Sequence, residues 1–446
     1  MLTEFNPADL QPQDRATPPC PHFGSCGGCQ LQHLTYPRQL RDKASKIRTL
    51  LEATGLVLPK LQLHPSPPLA YRNRIRLTLA EADGQFHAGY LRSLANYGIG
   101  HPAKELSGVG FEEEEEGLNQ ASIPSGILSR SIPIGISFLP IAECPVAAPI
   151  LWRATEAFLA VLNQAPGFWP RSSHQIPDQL ELFTTADESR LQFILYLRTA
   201  AKSLPKKFIA DFTNLCESLR TRIPELNGAG IALLPALSRQ RSRRTEQPRP
   251  GPTWGAPGMN YYVSQPATDN QQPATSFWVP RGAFFQINRF LLPELLALVT
   301  NNRTGQLAFD LYAGVGLFSR ALAAHFTQVT AVEIAEPAAT ALASTRLTNL
   351  RAIKATTLDF LRAAVLERDR PDLIVLDPPR SGAGPEVCAL LARIAAPTLV
   401  YVSCSPETLP ADLTTLTASG YTLAELHLFD LFPQTTHIET VTILTR

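Results

Sequence analysis

The segment FDLYAGVGLFSRALA, residues 309–323, decides the fold: an apolar run reads as a buried strand, two glycines make a turn, and apolar residues resume at helical spacing. Gly314 and Gly316 let backbone approach a ligand where the helix begins. Phe318 and Ser319 occupy the region of a third glycine, which disfavours a dinucleotide pyrophosphate. Working outward, strands QLAFDLY, QVTAVEI, AIKATTL, DLIVLD and TLVYVS alternate with helices LFSRALAAH, PAATALASTRL, DFLRAAVLE and PEVCALLARI. That alternation predicts an open, parallel, doubly wound sheet, so the fold class is α/β and Rossmann-like. The tail segments YTLAELHLFDLF and HIETVTILT are expected as an antiparallel pair closing it.

Acids at the carboxyl ends of these strands suggest a nucleoside cofactor. Glu333, ending the second strand, can accept both hydroxyls of a ribose, and S-adenosylmethionine offers a ribose with no phosphate. Asp359, after the third strand, could meet the adenine amino group, although a helix-capping role suits it as well. After the fourth strand, LDPPRSGAG at 376–384 stiffens a loop that would hold Asp377 against a flat base edge. Such a loop also suits amino-group methylation, but an aromatic residue would then follow the prolines, and Arg380 stands there.

The fifth strand ends in YVSCSP, residues 401–406, so Cys404 lies at the same edge as Asp377. Cys388 and Cys216 fall inside apolar elements and read as buried structural thiols. A thiolate at an edge suits methylation of uracil C5, a poor nucleophile until a thiolate adds to C6. The adduct must then lose the C5 proton, and Glu439 and His437 in FPQTTHIETV compete for the part of general base.

With these residues in place the chain resembles the RNA uracil-5-methyltransferases, which make 5-methyluridine in tRNA and 23S ribosomal RNA. The matching motifs are AYRNRIRL, GAFFQIN, DLYAGVGLFS, DPPRSG, YVSCSPETL and LFPQTTHIETV, densest from about 278 to 446. The resemblance implies a class I S-adenosylmethionine methyltransferase, with Cys404 as nucleophile, Glu439 as base and Gln286 as a cofactor contact. It also implies that Tyr312, Gly314, Glu333, Asp359 and Asp377 line the cofactor and substrate pocket. A non-catalytic iron–sulfur RNA-binding protein on the same fold is the alternative from another class.

CPHFGSCGGCQ spaces Cys20, Cys26 and Cys29 as Cx5Cx2C, and on spacing alone a zinc site competes with an iron–sulfur cluster. The resemblance implies a [4Fe-4S] cluster completed by Cys144 of IAECPV, with a structural role. Because the usual bacterial tRNA-directed members lack such cysteines, it also implies a 23S ribosomal RNA substrate, with tRNA as the alternative.

The remaining chain is read as supporting domains: a lead-in with the cluster cysteines over 1–30, and an amphipathic helix within 31–60 packing on the catalytic domain. A smaller, mostly β, RNA-recognition domain over 66–270 completes the cluster site, ahead of the catalytic domain over 271–446. Arginines 72, 74 and 76 are its expected RNA grip, and mobile insertions are expected at about 108–136 and 238–255. Lys plus Arg total 40 against 39 Asp plus Glu, so net charge argues for no partner, and any nucleic-acid contact must be local. A polar N-terminus and no apolar run of spanning length predict a cytoplasmic chain without membrane or DNA partners. It is expected to be a monomer.

Overall fold

The computed structural model describes residues 11–82, 84–93, 136–164, 176–201, 203–236, 248–264, 274–300 and 302–446. The first expected insertion therefore lies outside the described residues up to residue 135, as do residues 238–247 of the second. In chain order come α1 (Tyr36–Glu52), β1 (Leu61–His64), β2 (Arg74–Ala82), β3 (Gln85–Ser93) and β4 (Ile136–Pro140). They are followed by α2 (Pro149–Gln164), β5 (Ile176–Thr184), β6 (Leu191–Arg198), α3 (Lys206–Arg222), β7 (Leu226–Leu234) and β8 (Arg249–Gly255). A hairpin of β9 (Gly258–Val263) and β10 (Thr275–Pro280) precedes α4 (Leu292–Thr300), β11 (Gly305–Leu311), α5 (Leu317–Leu322) and β12 (Phe326–Glu333). Then come α6 (Glu336–Ala343), β13 (Leu350–Lys354), α7 (Thr357–Glu367), β14 (Leu373–Leu376) and α8 (Pro385–Ile394). The chain closes with β15 (Thr398–Ser403), α9 (Leu409–Ala418), β16 (Thr422–Phe429) and β17 (Glu439–Thr445).

Two compact units result: Met1–Thr35, Arg74–Thr184 and Glu188–Pro257 form one, and Tyr36–Asn73, Thr185–Asp187 and Gly258–Arg446 form the other. The first is a seven-stranded sheet ordered β4-β3-β2-β5-β6-β7-β8, antiparallel except where β6 and β7 run parallel across the α3 crossover. Helices α2 and α3 cover it through Phe158, Phe208, Phe212 and Leu219 against Leu195 and Phe193. The Pro-rich RPGPTWG, expected to belong to a solvated insertion, instead pairs with β7 as an edge strand, where prolines are tolerated.

Two of the arginines expected to grip RNA are engaged elsewhere. Glu181, 3% exposed, accepts from Arg74 Nη1 at 2.7 Å and from Arg76 Nε at 2.7 Å. The guanidinium groups lie over Phe183 and Tyr196, 4.3 and 4.6 Å from the ring centroids. One carboxylate on β5 thus meets two cations on β2, and much of the charge expected to attract phosphate is neutralised at home.

The second unit is an eight-stranded sheet ordered β1-β16-β17-β15-β14-β11-β12-β13. Its β11–β15 core is parallel, and β17 is antiparallel to both β15 and β16. The expected closing pair is present, but β1 adds to it in parallel with β16, a pairing across more than 360 residues that no local pattern announces. Helix α1 buries Gln39, Lys43, Ile47 and Leu51 on one stripe, the last two reaching the core beside Leu426 and Leu428. The hairpin belongs to this unit, where β10 packs with α5 and α6, although its first strand β9 falls within the expected central domain. Chain order reverses between β11 and β14, whose carboxyl ends flank the crevice where ligands of this architecture bind.

Replacing Glu181 by Ala strands two arginines and is expected to cost about 2–4 kcal/mol, the lower part of the range for a broken pair because Arg76 is half-exposed. Urea unfolding of the variant checks this.

Candidate active site

The cofactor side is built on the turn after β11. Tyr312, Gly314 and Gly316 all take left-handed backbone, with φ of 62°, 58° and 89°. A Cβ on Gly316 would press the Leu342 methyl at 2.8 Å and force it to shift, and the backbone angle itself favours glycine. Asp310, 1% exposed, fixes this turn by accepting from Ser319 N at 2.8 Å and Ser319 Oγ at 2.6 Å. Burial pushes its carboxyl up to about 7; the Ser319 bonds work against that, and nearby Glu333 adds to it.

Glu333 does more here than await a ribose. Its Oε2 accepts from Gly314 N at 2.9 Å and its Oε1 from Ala335 N at 2.6 Å, so the carboxylate is locked across the glycine turn. Each oxygen keeps a second lone pair for a ligand hydroxyl. Asp359 lies in the first turn of α7 beside the N-cap Thr356, its backbone N donating to Thr356 Oγ1 at 3.1 Å and its Oδ2 accepting from Thr356 Oγ1 at 2.6 Å. The N-cap role that competed for Asp359 therefore belongs to Thr356. Tyr312 is half-buried, its phenol pushed up by burial while a hydrogen bond with Thr357 pulls the other way.

On the reaction side, the antiparallel register places Ser403 opposite Thr440. One step further along each strand stand Cys404 and Glu439, so sheet geometry alone sets the candidate nucleophile beside the candidate base. Burial pushes the Cys404 thiol up to about 11; Glu439 and Asp377 push the same way, and Arg380 opposes them. Glu439, 3% exposed, is raised by burial and then by Asp377, with Arg380 again opposing. Asp377 is pushed up to about 7, by burial and by Asp310. The pocket thus holds three acids and a thiol with one nearby guanidinium, and they cannot all ionise together. His437, the competing base, is exposed, with its ring edge-on to Phe432 at 5.6 Å.

Gln286 reaches this group from the segment after β10, its Nε2 3.5 Å from Asp377 Oδ2. Asn73 holds that segment in place: its Nδ2 donates to Gln286 O at 2.9 Å and lies 3.2 Å from Tyr261 Oη. Asp412 on α9 was invisible to motif reading, yet it organises the Asp-Pro-Pro loop. It accepts from Ala383 N at 2.8 Å, Gly384 N at 3.1 Å and Tyr401 Oη at 2.7 Å. Cys388 also donates to it, and burial followed by this carboxylate pushes that thiol up to about 12. A Cβ on Gly382, at φ 77°, would meet Asp412 Oδ2 at 2.7 Å.

In the other unit, the cysteine loop turns through Gly24 and Gly27 at φ 81° and 73°. His22 Nε2 accepts from Ala142 N at 2.9 Å, and Glu143 helps raise the Cys20 thiol, after the larger effect of burial. The loop of Cys20, Cys26 and Cys29 therefore lies against the strand exit that carries Cys144. Among the described residues, however, no three His, Cys, Asp or Glu side chains stand as a ready metal-holding group. No helix among them is long and apolar enough to cross a membrane.

Residues 263–446 match the family described as tRNA (Uracil-5-)-methyltransferase. An uncharacterized RNA methyltransferase of Thermotoga maritima is 27% identical over 442 residues, covering 97% of this chain and 86% of its own. The 23S rRNA (uracil(1939)-C(5))-methyltransferase RlmD of Chromohalobacter salexigens is 29% identical over 440 residues, covering 97% and 77%. Among solved structures, the Pyrococcus abyssi tRNA (uracil-54, C5)-methyltransferase in complex with S-adenosyl-L-homocysteine superposes with a TM-score of 0.60 at 20% identity, covering 94% and 86%, a likeness of fold. The protein is an RNA methyltransferase of the α/β class. Over residues 263–446 it is similar to the tRNA (uracil-5-)-methyltransferase family.

Asp412→Ala leaves a phenol, a thiol and two backbone N–H groups without their acceptor, at an expected cost of about 2–4 kcal/mol. Calorimetry reads the loss, and faster tryptic cleavage after exposed Arg380 reads the released loop.

Proposed function

We propose that the protein methylates uracil C5 in 23S ribosomal RNA, using S-adenosylmethionine and a covalent adduct through Cys404. The observation that carries the reading is the strand register that sets Cys404 beside Glu439, with Asp377 close enough to shift both. Bound S-adenosylmethionine supplies an electrophilic methyl group. Cys404 Sγ, as thiolate, bonds to uracil C6 and moves an electron pair to C5, which then takes the methyl. Glu439 takes the C5 proton, the Sγ–C6 bond breaks, and the electron pair restores the C5–C6 double bond while thiolate leaves. Burial and Asp377 make Glu439 a stronger base than an exposed carboxylate. Asp377 is suited to the polar edge of the base, while Gln286, Glu333, Tyr312, Gly314 and Asp359 are suited to the cofactor side.

Support for ribosomal RNA comes from the relative in Chromohalobacter and from the four-cysteine set. Mapping 5-methyluridine in cells with and without the gene decides: loss from 23S ribosomal RNA is expected, and loss from tRNA alone would reassign the substrate. Cys404→Ala should abolish turnover, and Glu439→Gln should accumulate protein bound covalently to RNA. Because the deprotonated thiol is the attacking form and burial pushes Cys404 up to about 11, kcat/KM should climb between pH 6 and 9, by up to about tenfold per unit. A plateau from pH 6 upward would contradict the assigned groups.

We further propose that Cys20, Cys26, Cys29 and Cys144 hold a [4Fe-4S] cluster with a structural role, tying the loop to the strand exit beside it. The donors suit it, since thiolates are the usual ligands of such clusters, and the His22 contact already draws the two segments together. Assembly would need the thiols to close further than they stand. Anaerobically purified protein should contain four irons per chain and lose them in Cys144→Ser; zinc in their place would overturn the cluster.

A further inference from the structure

The segment between β16 and β17, residues 430–438, ends on Glu439 and is held by side chains remote in sequence. Asn288 Nδ2 donates to Leu431 O at 3.1 Å, and Tyr71 Oη donates to Pro433 O at 3.0 Å. Most of the grip comes from α1. Lys43 Nζ reaches Asp430 Oδ1 at 2.6 Å and Phe432 O at 3.0 Å, while Gln39 exchanges two bonds of 2.9 Å with Gln434, which sits at φ 68°. Gln39, Lys43 and Asp430 are each 3% exposed or less. On its outer face the same helix places Lys46 Nζ 2.8 Å from Glu407, three residues past Cys404.

A buried ion pair is a poor way to gain stability, since two apolar residues of the same volume do as well. It is a good way to hold one backbone path, because the ammonium has three directed donors and no tolerable unpaired state. We propose that Lys43 is a positioning residue for proton abstraction: it fixes the segment that presents Glu439, and α1 braces the base segment against the loop that follows the nucleophile. The inference rests on the proposed uracil-5 reaction.

The test uses full-length Lys43→Met/Asp430→Asn, which removes both charges at nearly matched volume and also removes the bond to Phe432 O. It should melt close to wild type and bind S-adenosylmethionine normally. Adduct should form at the wild-type rate and decay at least about tenfold more slowly, as expected of a base displaced by a fraction of an ångström. Covalent RNA–protein complex would then accumulate on denaturing gels, with kcat and the KM for RNA lowered together and kcat/KM unchanged. Wild-type turnover without accumulated adduct would overturn the proposal. If the double variant does not fold, Gln39→Leu, which unpairs no charge, is read by the same adduct assay with the same decision. Cys404→Ala in parallel separates the two claims: turnover there rejects the reaction itself, whereas an inactive Cys404→Ala beside a normal double variant rejects only the role of Lys43.

Discussion

Strand β17 runs antiparallel between β15 and β16 in a sheet whose core is parallel, and the chemistry of the site depends on that reversal. A parallel strand in the same slot would carry its first residue to the opposite edge. Reversed, it begins where β15 ends, and Glu439 starts its strand one step from the end of Cys404's. Neither side chain needs a flexible loop to find the other. The hydrogen-bond ladder sets their separation, and the apolar residues that bury the ladder, Val402, Val441 and Tyr401, keep water out of it.

Burial then does the chemical tuning. Glu439, Asp377 and the Cys404 thiol are raised first by burial and then by acidic neighbours: Asp377 acts on Glu439, Asp310 on Asp377, and Glu439 with Asp377 on the thiol. Arg380 relieves only part of this. A site in that condition favours a cationic ligand and keeps its base strong, both of which suit transfer of a methyl group from a sulfonium to a carbon that must afterwards lose a proton.

Much of this was legible in the sequence, for physical reasons. Buried parallel strands must be apolar runs and their connecting helices must be amphipathic, so β11 to β15 and the helices between them announce themselves. Left-handed backbone demands glycine, so the turn at Gly314 and Gly316 is visible too. What stayed hidden depends on long-range pairing. Nothing local in LQLH, residues 61–64, says that it will pair with β16, and the buried stripe of α1 includes Gln39 and Lys43, which any apolar count leaves out. Arg74 and Arg76 look like an RNA-binding face until Glu181 is seen across the strand. Asp412 carries no motif, because its function is to satisfy backbone donors on a loop almost thirty residues away.

The central claim is that one sulfur bonds to one base carbon. The most direct measurement offers the protein RNA in which the target uridines carry fluorine at C5, where the base then has no proton to remove. With S-adenosylmethionine present, peptide mass mapping should find one RNA adduct per chain, on Cys404, and no adduct without the cofactor. An adduct on any other residue, or none while ordinary RNA is still methylated, would contradict the account.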